Sequence, residues 1–126
     1  MSTIDWSKYP NFTKEEFDCK ETGENLMQAG FMDKLQELRT LYGKPIIITS
    51  GYRSPKHSIE ARKQQPGMHS TGLACDIGCN GQDAYAILKL ATALGFTGIG
   101  ISQKAGLPRF IHLDLRPIKD SRVFGY

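Results

Sequence analysis

The sequence lacks long apolar runs, basic runs and any excess of one charge. Nothing in its 126 residues approaches the roughly 20 apolar residues that span a bilayer. The first six residues have neither the basic start nor the apolar stretch of a signal peptide. Lys and Arg are scattered and the net charge is only +3, which does not argue for nucleic-acid binding. We therefore expect a monomer without a membrane or nucleic-acid partner, left in the cytoplasm of the producing cell or exported without an N-terminal signal.

Cysteine is also scarce. Cys19, Cys75 and Cys79 are an odd number, which disfavours a disulfide framework. They contain no CxxC pair, and their spacing is unlike that of a structural zinc knuckle. With 40% hydrophobic and 23% charged residues, the composition is typical of a globular protein, and the length suits one domain over 1–126.

Hydrophobic periodicity predicts an α+β fold. Phe31, Leu35 and Leu38 recur at helical spacing within a helix over 25–42, and Gly43 suits its end. The other predicted elements are a short helix begun by a capping box of Thr13 and Glu16, strands over 46–49, 73–77, 98–102 and 110–116, a loop over 54–68 and a helix over 82–94. The pattern favours a small antiparallel sheet with helices packed on one side. The aromatic side chains of the tail, "RVFGY", are expected to pack back on the body.

Alternation along two of these strands places polar residues on one face. In strand 73–77, Asp76 points away from the face that carries Cys75. In strand 110–116, the residues that alternate away from the core are Phe110, His112, Asp114 and Arg116.

Three of the polar residues form a candidate metal site. A turn at 70–72 can fold His69 back over Asp76, and His112 lies on the other polar-faced strand. Two histidines and one carboxylate suit a catalytic zinc ion, with a fourth position open for water. The competing interpretation is ordinary: a histidine beside a strand is often a satisfied polar residue, and an aspartate after an apolar strand is often a cap. Spacing alone leaves both open.

Four segments together resemble the family M15 zinc peptidases, which share a fold with lysostaphin, D-Ala-D-Ala peptidases and hedgehog proteins. They are "SGYRS" (50–54), "HSTGLACDI" (69–77), "GFTGIGI" (95–101) and "FIHLDLR" (110–116). The "FTKEEF" opening and the aromatic tail are similar to small single-domain members often carried by phages. The resemblance implies zinc bound by His69, Asp76 and His112.

The resemblance also implies roles for residues around the zinc. Arg53 would hold the substrate or its developing negative charge. Many relatives place an acidic general base three residues before the last zinc histidine, where this chain has Arg109, which cannot accept a proton. Asp114 is then the best candidate base, and its competing role is to orient a ligand histidine or to pair with Arg116. His57, in the same loop region as Arg53, is a candidate substrate contact or a surface histidine.

The implied activity is hydrolysis of peptidoglycan stem peptides. Zinc would lower the pKa of its bound water and polarise the scissile carbonyl, while a carboxylate moves the proton. Either the D-Ala-D-Ala bond or the L-Ala-D-Glu bond would be cut, by a phage endolysin that reaches the cell wall after release or by a component of the virion. Because Arg109 occupies the usual base position, a second class stays open: a zinc-containing binding module with weak or no catalysis.

Overall fold

The computed structural model describes residues 4–57, 59 and 67–126. Three α-helices have both ends within these ranges: α1 (Lys14–Phe17), α2 (Ala29–Tyr42) and α3 (Gly81–Leu94). The strands are β1 (Ile47–Ser50), β2 (Ala74–Gly78), β3 (Gly98–Ser102), β4 (Phe110–Asp114) and β5 (Arg122–Gly125). Short 3-10 turns cover Trp6–Lys8, Met68–Thr71 and Ile118–Asp120. The α+β class expected from the sequence is confirmed.

The five strands form one open sheet in the order β1-β2-β4-β3-β5. Every neighbouring pair is antiparallel except β3 and β5, which run parallel. Strand β5 was not predicted, although its aromatic residue does pack back on the body. Its four residues include an exposed Val123 and a glycine, so they lack the alternation that marks a half-buried strand. Long-range pairing with β3 makes this segment a strand.

The hydrophobic core lies between the helices and one face of the sheet. Phe31 and Leu35 of α2 and Ile87 of α3 belong to the same buried cluster as Cys75 and Ile77 of β2. At the end of α2, Gly43 adopts a left-handed conformation and its N–H donates to the Arg39 carbonyl. The helices therefore cover the face that the sequence alternation assigned to the core.

Several predicted boundaries differ from the observed ones. Helix α2 begins at Ala29 instead of residue 25, because Gln28 is extended and its N–H donates to the Gly72 carbonyl. Strands β1 and β2 are each shifted by one residue, and β4 ends at Asp114, shortly before Pro117. The predicted loop over 54–68 lies partly outside the described residues.

The opposite face of the sheet is also covered, and this is where the polar residues lie. Asp76, His112 and Asp114 are all buried on it. Buried charged groups need compensating hydrogen bonds or a bound ion, so this face contains the candidate site. None of the described helices is long and apolar enough to cross a membrane.

The turn that leads into β2 depends on Gly72. Its φ is +77°, and a Cβ at this position would overlap the backbone carbonyl oxygen of Leu26. Gly43 offers a matched control, since its φ is +76° and no atom lies within 4 Å of the place of its Cβ. Gly43→Ala should cost only the left-handed strain of about 1–2 kcal/mol. Gly72→Ala should cost about 1–3 kcal/mol more, because the turn must move off Leu26.

Urea unfolding of the two variants and the wild type measures both losses. Equal losses would show that the turn relaxes away from Leu26 without cost, and would contradict this account of Gly72.

Candidate metal centre

The register of the sheet places Asp76 and His112 side by side in a row that crosses four strands. Asp76 of β2 lies opposite His112 of β4, and His112 lies opposite Gly100 of β3. Gly100 in turn lies beside Phe124 of β5. His69 comes from outside the sheet, in the turn Met68–Thr71 that precedes β2. The turn expected from the sequence does bring His69 over Asp76.

His69, Asp76 and His112 form a compact buried cluster. The Asp76 Oδ1 atom lies 3.2 Å from His69 Nε2 and 3.0 Å from His112 Nδ1, and the two ring nitrogens are 3.2 Å apart. The three residues are only 7%, 7% and 4% exposed. Each contributes one potential ligand atom to the same small volume.

Hydrogen bonds on the far side of each ring assign the histidine tautomers. His69 Nδ1 lies 2.8 Å from the carbonyl oxygen of Gly51, which can only accept, so Nδ1 donates. His112 Nε2 lies 2.7 Å from Asp114 Oδ2, and it donates to this carboxylate. In the neutral rings, His69 Nε2 and His112 Nδ1 therefore carry lone pairs. Both lone pairs face the Asp76 carboxylate.

This donor set fits a metal ion such as zinc. With metal–ligand bonds of roughly 2.0–2.1 Å, tetrahedral geometry places neighbouring donor atoms about 3.3 Å apart. The observed separations of 3.0–3.2 Å are close to that value. Two neutral nitrogens and an ionised carboxylate repel one another unless a cation lies between them. The cluster could therefore hold a metal ion and leave its fourth position open.

The charges around the cluster are strongly coupled. Burial raises the pKa of Asp76, but its contacts with His112 and His69, whose rings donate to it when they carry a second proton, outweigh burial and bring the pKa down to about 2. Burial lowers the pKa of His112, but its hydrogen bonds to Asp114 and Asp76 raise it more, so the pKa lies above the ordinary value. Asp76 is therefore ionised at neutral pH, and a metal ion competes with a proton for His112.

Asp114 lies behind His112 and does not line the cavity that contains the cluster. It is fully buried and accepts hydrogen bonds from His112 Nε2 and from the guanidinium of Arg116. Burial raises its pKa, but the hydrogen bonds from Arg116 and His112 hold the pKa well below the usual range. The sequence left two roles open for Asp114. Its position on the far side of the ring favours orienting His112 over acting as general base.

A cavity of about 370 Å³ opens in front of the cluster. Arg53 and Arg116 contribute its positive groups, and its apolar wall consists of Ile59, Met68, Phe110, Phe124 and Tyr126. The Arg53 backbone N–H donates to the His69 carbonyl, and its Nη2 donates to Ser50 Oγ. Burial and the charge of Asp76 raise the pKa of Tyr126 to about 12, so its hydroxyl remains a hydrogen-bond donor at neutral pH.

His57 and Arg109 lie away from this cavity. His57 lines a neighbouring cavity of about 200 Å³ that also contains Arg53. Both of its ring nitrogens are engaged: Nε2 lies 3.2 Å from Glu21 Oε2, and Nδ1 accepts from the Ile59 N–H. Arg109 is exposed and lines a different cavity with Leu107. The structure therefore does not bring either residue to the cluster.

Sequence reasoning missed two glycines and two aromatic residues that shape the site. A Cβ at Gly98 would overlap the Asp114 carboxylate, and a Cβ at Gly100 would lie within 2.5 Å of the Phe124 ring. The Phe124 ring centroid is 5.5 Å from that of His112, and Tyr126 packs on Phe124. Glycine within a strand often marks a place where another group approaches the backbone closely. The alternating glycines of "GIGIS" could therefore have predicted the close packing against β3.

Comparison with known protein families agrees with this geometry. A family model described as Peptidase M15 matches residues 10–114, a span that contains all three residues of the cluster and also Asp114. No curated protein matches the chain closely enough to be counted as a relative. The family match covers well over half of the sequence, and the buried cluster is of the kind its metal centres need. The chain therefore belongs to the peptidase M15 family.

Proposed function

We propose that this protein is a zinc peptidase that hydrolyses the stem peptides of bacterial peptidoglycan. The observation that carries the proposal is the convergence of two histidine lone pairs and one buried carboxylate at the wall of an open cavity. Family membership supports the reaction class. When bound, zinc would supply Lewis-acid chemistry, polarising a peptide carbonyl and activating water.

The remaining residues of the cavity support an acidic peptide substrate. Arg53 lines the same cavity as the cluster, and the planar fork of its guanidinium suits a substrate carboxylate or a developing oxyanion. The protonated Tyr126 hydroxyl offers a second donor in the same cavity. Stem peptides contain several carboxylates, and the candidate scissile bonds are D-Ala-D-Ala and L-Ala-D-Glu. Action as a phage endolysin or virion component stays a prediction that no observation tests.

A zinc-containing binding module with little catalysis is the second candidate. Among the described residues that line the cavity, Asp76 has the only side-chain carboxylate, and it belongs to the cluster itself. Asp114 is buried behind His112, and Arg109 lies in another cavity. These positions favour weak general-base catalysis. Digestion of purified peptidoglycan separates the candidates, because a binding module that contains zinc would release no peptide fragments.

Zinc binding tests the ligand set. We expect one Zn²⁺ per chain in the wild type. His69→Ala or Asp76→Asn should lower the affinity by more than about 100-fold, because loss of a residue that merely supports a ligand costs roughly 10–100-fold. His57→Ala is the matched control and should retain zinc, since its ring is bonded to Glu21 outside the cluster. Competition with a chromophoric chelator measures the affinities. Equal affinity in all variants would contradict the assignment.

Asp114→Asn, assayed at limiting and at saturating zinc, distinguishes an orienting role of Asp114 from a role as general base. If Asp114 orients His112, zinc affinity should fall about 10–100-fold, and hydrolysis should recover when zinc is saturating. If Asp114 is the general base, the variant should retain zinc affinity and lose cleavage at every zinc concentration. We expect the first result, because Asp114 faces the ring of His112 and not the cavity. Thermal unfolding without metal checks that the variant folds.

Substrate recognition is tested by Arg53→Ala with stem peptides that contain both candidate bonds. Loss of a charged hydrogen bond worth about 1.5–3 kcal/mol should reduce kcat/KM roughly 10–100-fold. Arg109→Ala, a change of the same size in a different cavity, should leave kcat/KM unchanged. Mass spectrometry of the products identifies the bond that is cut. Equal effects of the two substitutions would show that Arg53 does not act through a local contact with substrate.

A further inference from the structure

Arg116 is joined to the candidate metal centre through Asp114. Its Nε atom donates to Asp114 Oδ1 at 2.9 Å, and its Nη2 atom donates to Oδ2 at 2.6 Å. The Arg116 backbone N–H also donates to Oδ1, at 3.1 Å. Oδ2 is the same oxygen that accepts from His112 Nε2 at 2.7 Å. A continuous chain of hydrogen bonds therefore runs from Arg116 through Asp114 to His112.

The residues around this chain of hydrogen bonds restrict the Asp114 carboxylate. Asp114 is fully buried, so its carboxylate has no water shell and depends on protein donors. Because Gly98 has no side chain, the carboxylate fits against β3. The guanidinium carbon of Arg116 lies 5.3 Å from the centre of the Phe124 ring, which supports the guanidinium from a second side. The carboxylate plane is thus set by the two-point contact with Arg116.

We propose that Arg116 is a positioning residue for the metal centre. By fixing the Asp114 carboxylate, it keeps Oδ2 on His112 Nε2, and so holds the Nδ1 lone pair of His112 towards His69 and Asp76. The inference rests on the metal site of the proposed function. Arg116 lies just beyond the span that the family model matches, which ends at residue 114.

Geometry explains why arginine and lysine are not equivalent here. The planar fork of arginine makes two parallel hydrogen bonds to one carboxylate, whereas an ammonium group makes a point contact that leaves the carboxylate plane free to rotate. Arg116→Lys therefore keeps the charge beside Asp114 but loses the orientation. Arg116→Gln removes the charge as well.

The competing role is contact with substrate, because Arg116 also lines the cavity. A substrate-binding arginine would affect KM and leave the metal unchanged. A positioning arginine would affect the metal centre before any substrate is added. Three measurements report on the positioning role alone. They are zinc affinity, the visible spectrum of the Co²⁺-loaded protein and the tautomer of the His112 ring in the metal-free protein.

The experiment compares Arg116→Lys, Arg116→Gln and a control, Arg122→Gln. Arg122 lies on the edge strand β5, and its Nε donates to the Asp120 carbonyl. Zinc affinity should fall about tenfold or more in Arg116→Gln, the order found when a residue supporting a metal ligand is lost. Arg116→Lys should lie between it and the wild type, and Arg122→Gln should match the wild type. The Co²⁺ absorption and the ¹⁵N shifts of the His112 ring should change in the same order.

Unchanged zinc affinity, Co²⁺ spectrum and ring tautomer in both Arg116 variants would overturn the inference, and a raised KM would then assign Arg116 to the substrate. If Arg116→Gln fails to fold, the milder Arg116→Lys decides by the same measurements. A wild type that binds zinc but cleaves no stem peptide would overturn the proposed function and leave this inference standing. A wild type that binds no zinc would overturn both.

Discussion

The site depends on two hydrogen bonds that point away from it. His69 donates from Nδ1 to the Gly51 carbonyl, and His112 donates from Nε2 to Asp114. Each bond turns the other nitrogen of its ring, with its lone pair, towards Asp76. Without these two bonds the rings could rotate or exchange tautomers, and the three donor atoms would not face one point. The geometry of the site therefore depends on how the fold positions the Gly51 carbonyl and the Asp114 carboxylate.

The sheet supplies one acceptor, and a loop supplies the other. Asp114 stands two residues after His112 on β4, and β3 makes room for it with a glycine at position 98. Gly51 directly follows β1, and the next residues of its loop are bonded to neighbouring elements: Tyr52 N–H donates to Phe17, and Arg53 N–H donates to His69. The His69 end of the site is therefore anchored by backbone contacts, whereas the His112 end depends on the buried Asp114 side chain and its donor Arg116.

Strand β5 converts an exposed edge of this site into a walled cavity. By pairing parallel to β3, it places Phe124 over Gly100 and next to the ring of His112. The same ring supports the guanidinium of Arg116, so one aromatic side chain contacts both the ligand histidine and the far end of the hydrogen-bond chain. Apolar cover on this side lowers the local polarity, which strengthens the electrostatic interactions among the buried groups.

The sequence by itself determined the local features. Apolar spacing located α2, α3 and most of the sheet. Strand alternation placed Asp76, His112 and Asp114 on one face, because side-chain direction along a strand depends only on position. The chemistry of two histidines and a carboxylate likewise required no coordinates to suggest a metal.

Only the tertiary structure decided how these groups face one another. Asp114 accepts a hydrogen bond from the side of the His112 ring that faces away from the cluster. His57 contacts Glu21, and Arg109 lines another cavity. The tertiary structure also made a strand of residues 122–125, whose own sequence shows no clear strand pattern. These outcomes depend on strand register, on room left by distant glycines and on which donor reaches a buried carboxylate. Such contacts join residues far apart in the chain, and local sequence patterns do not encode them.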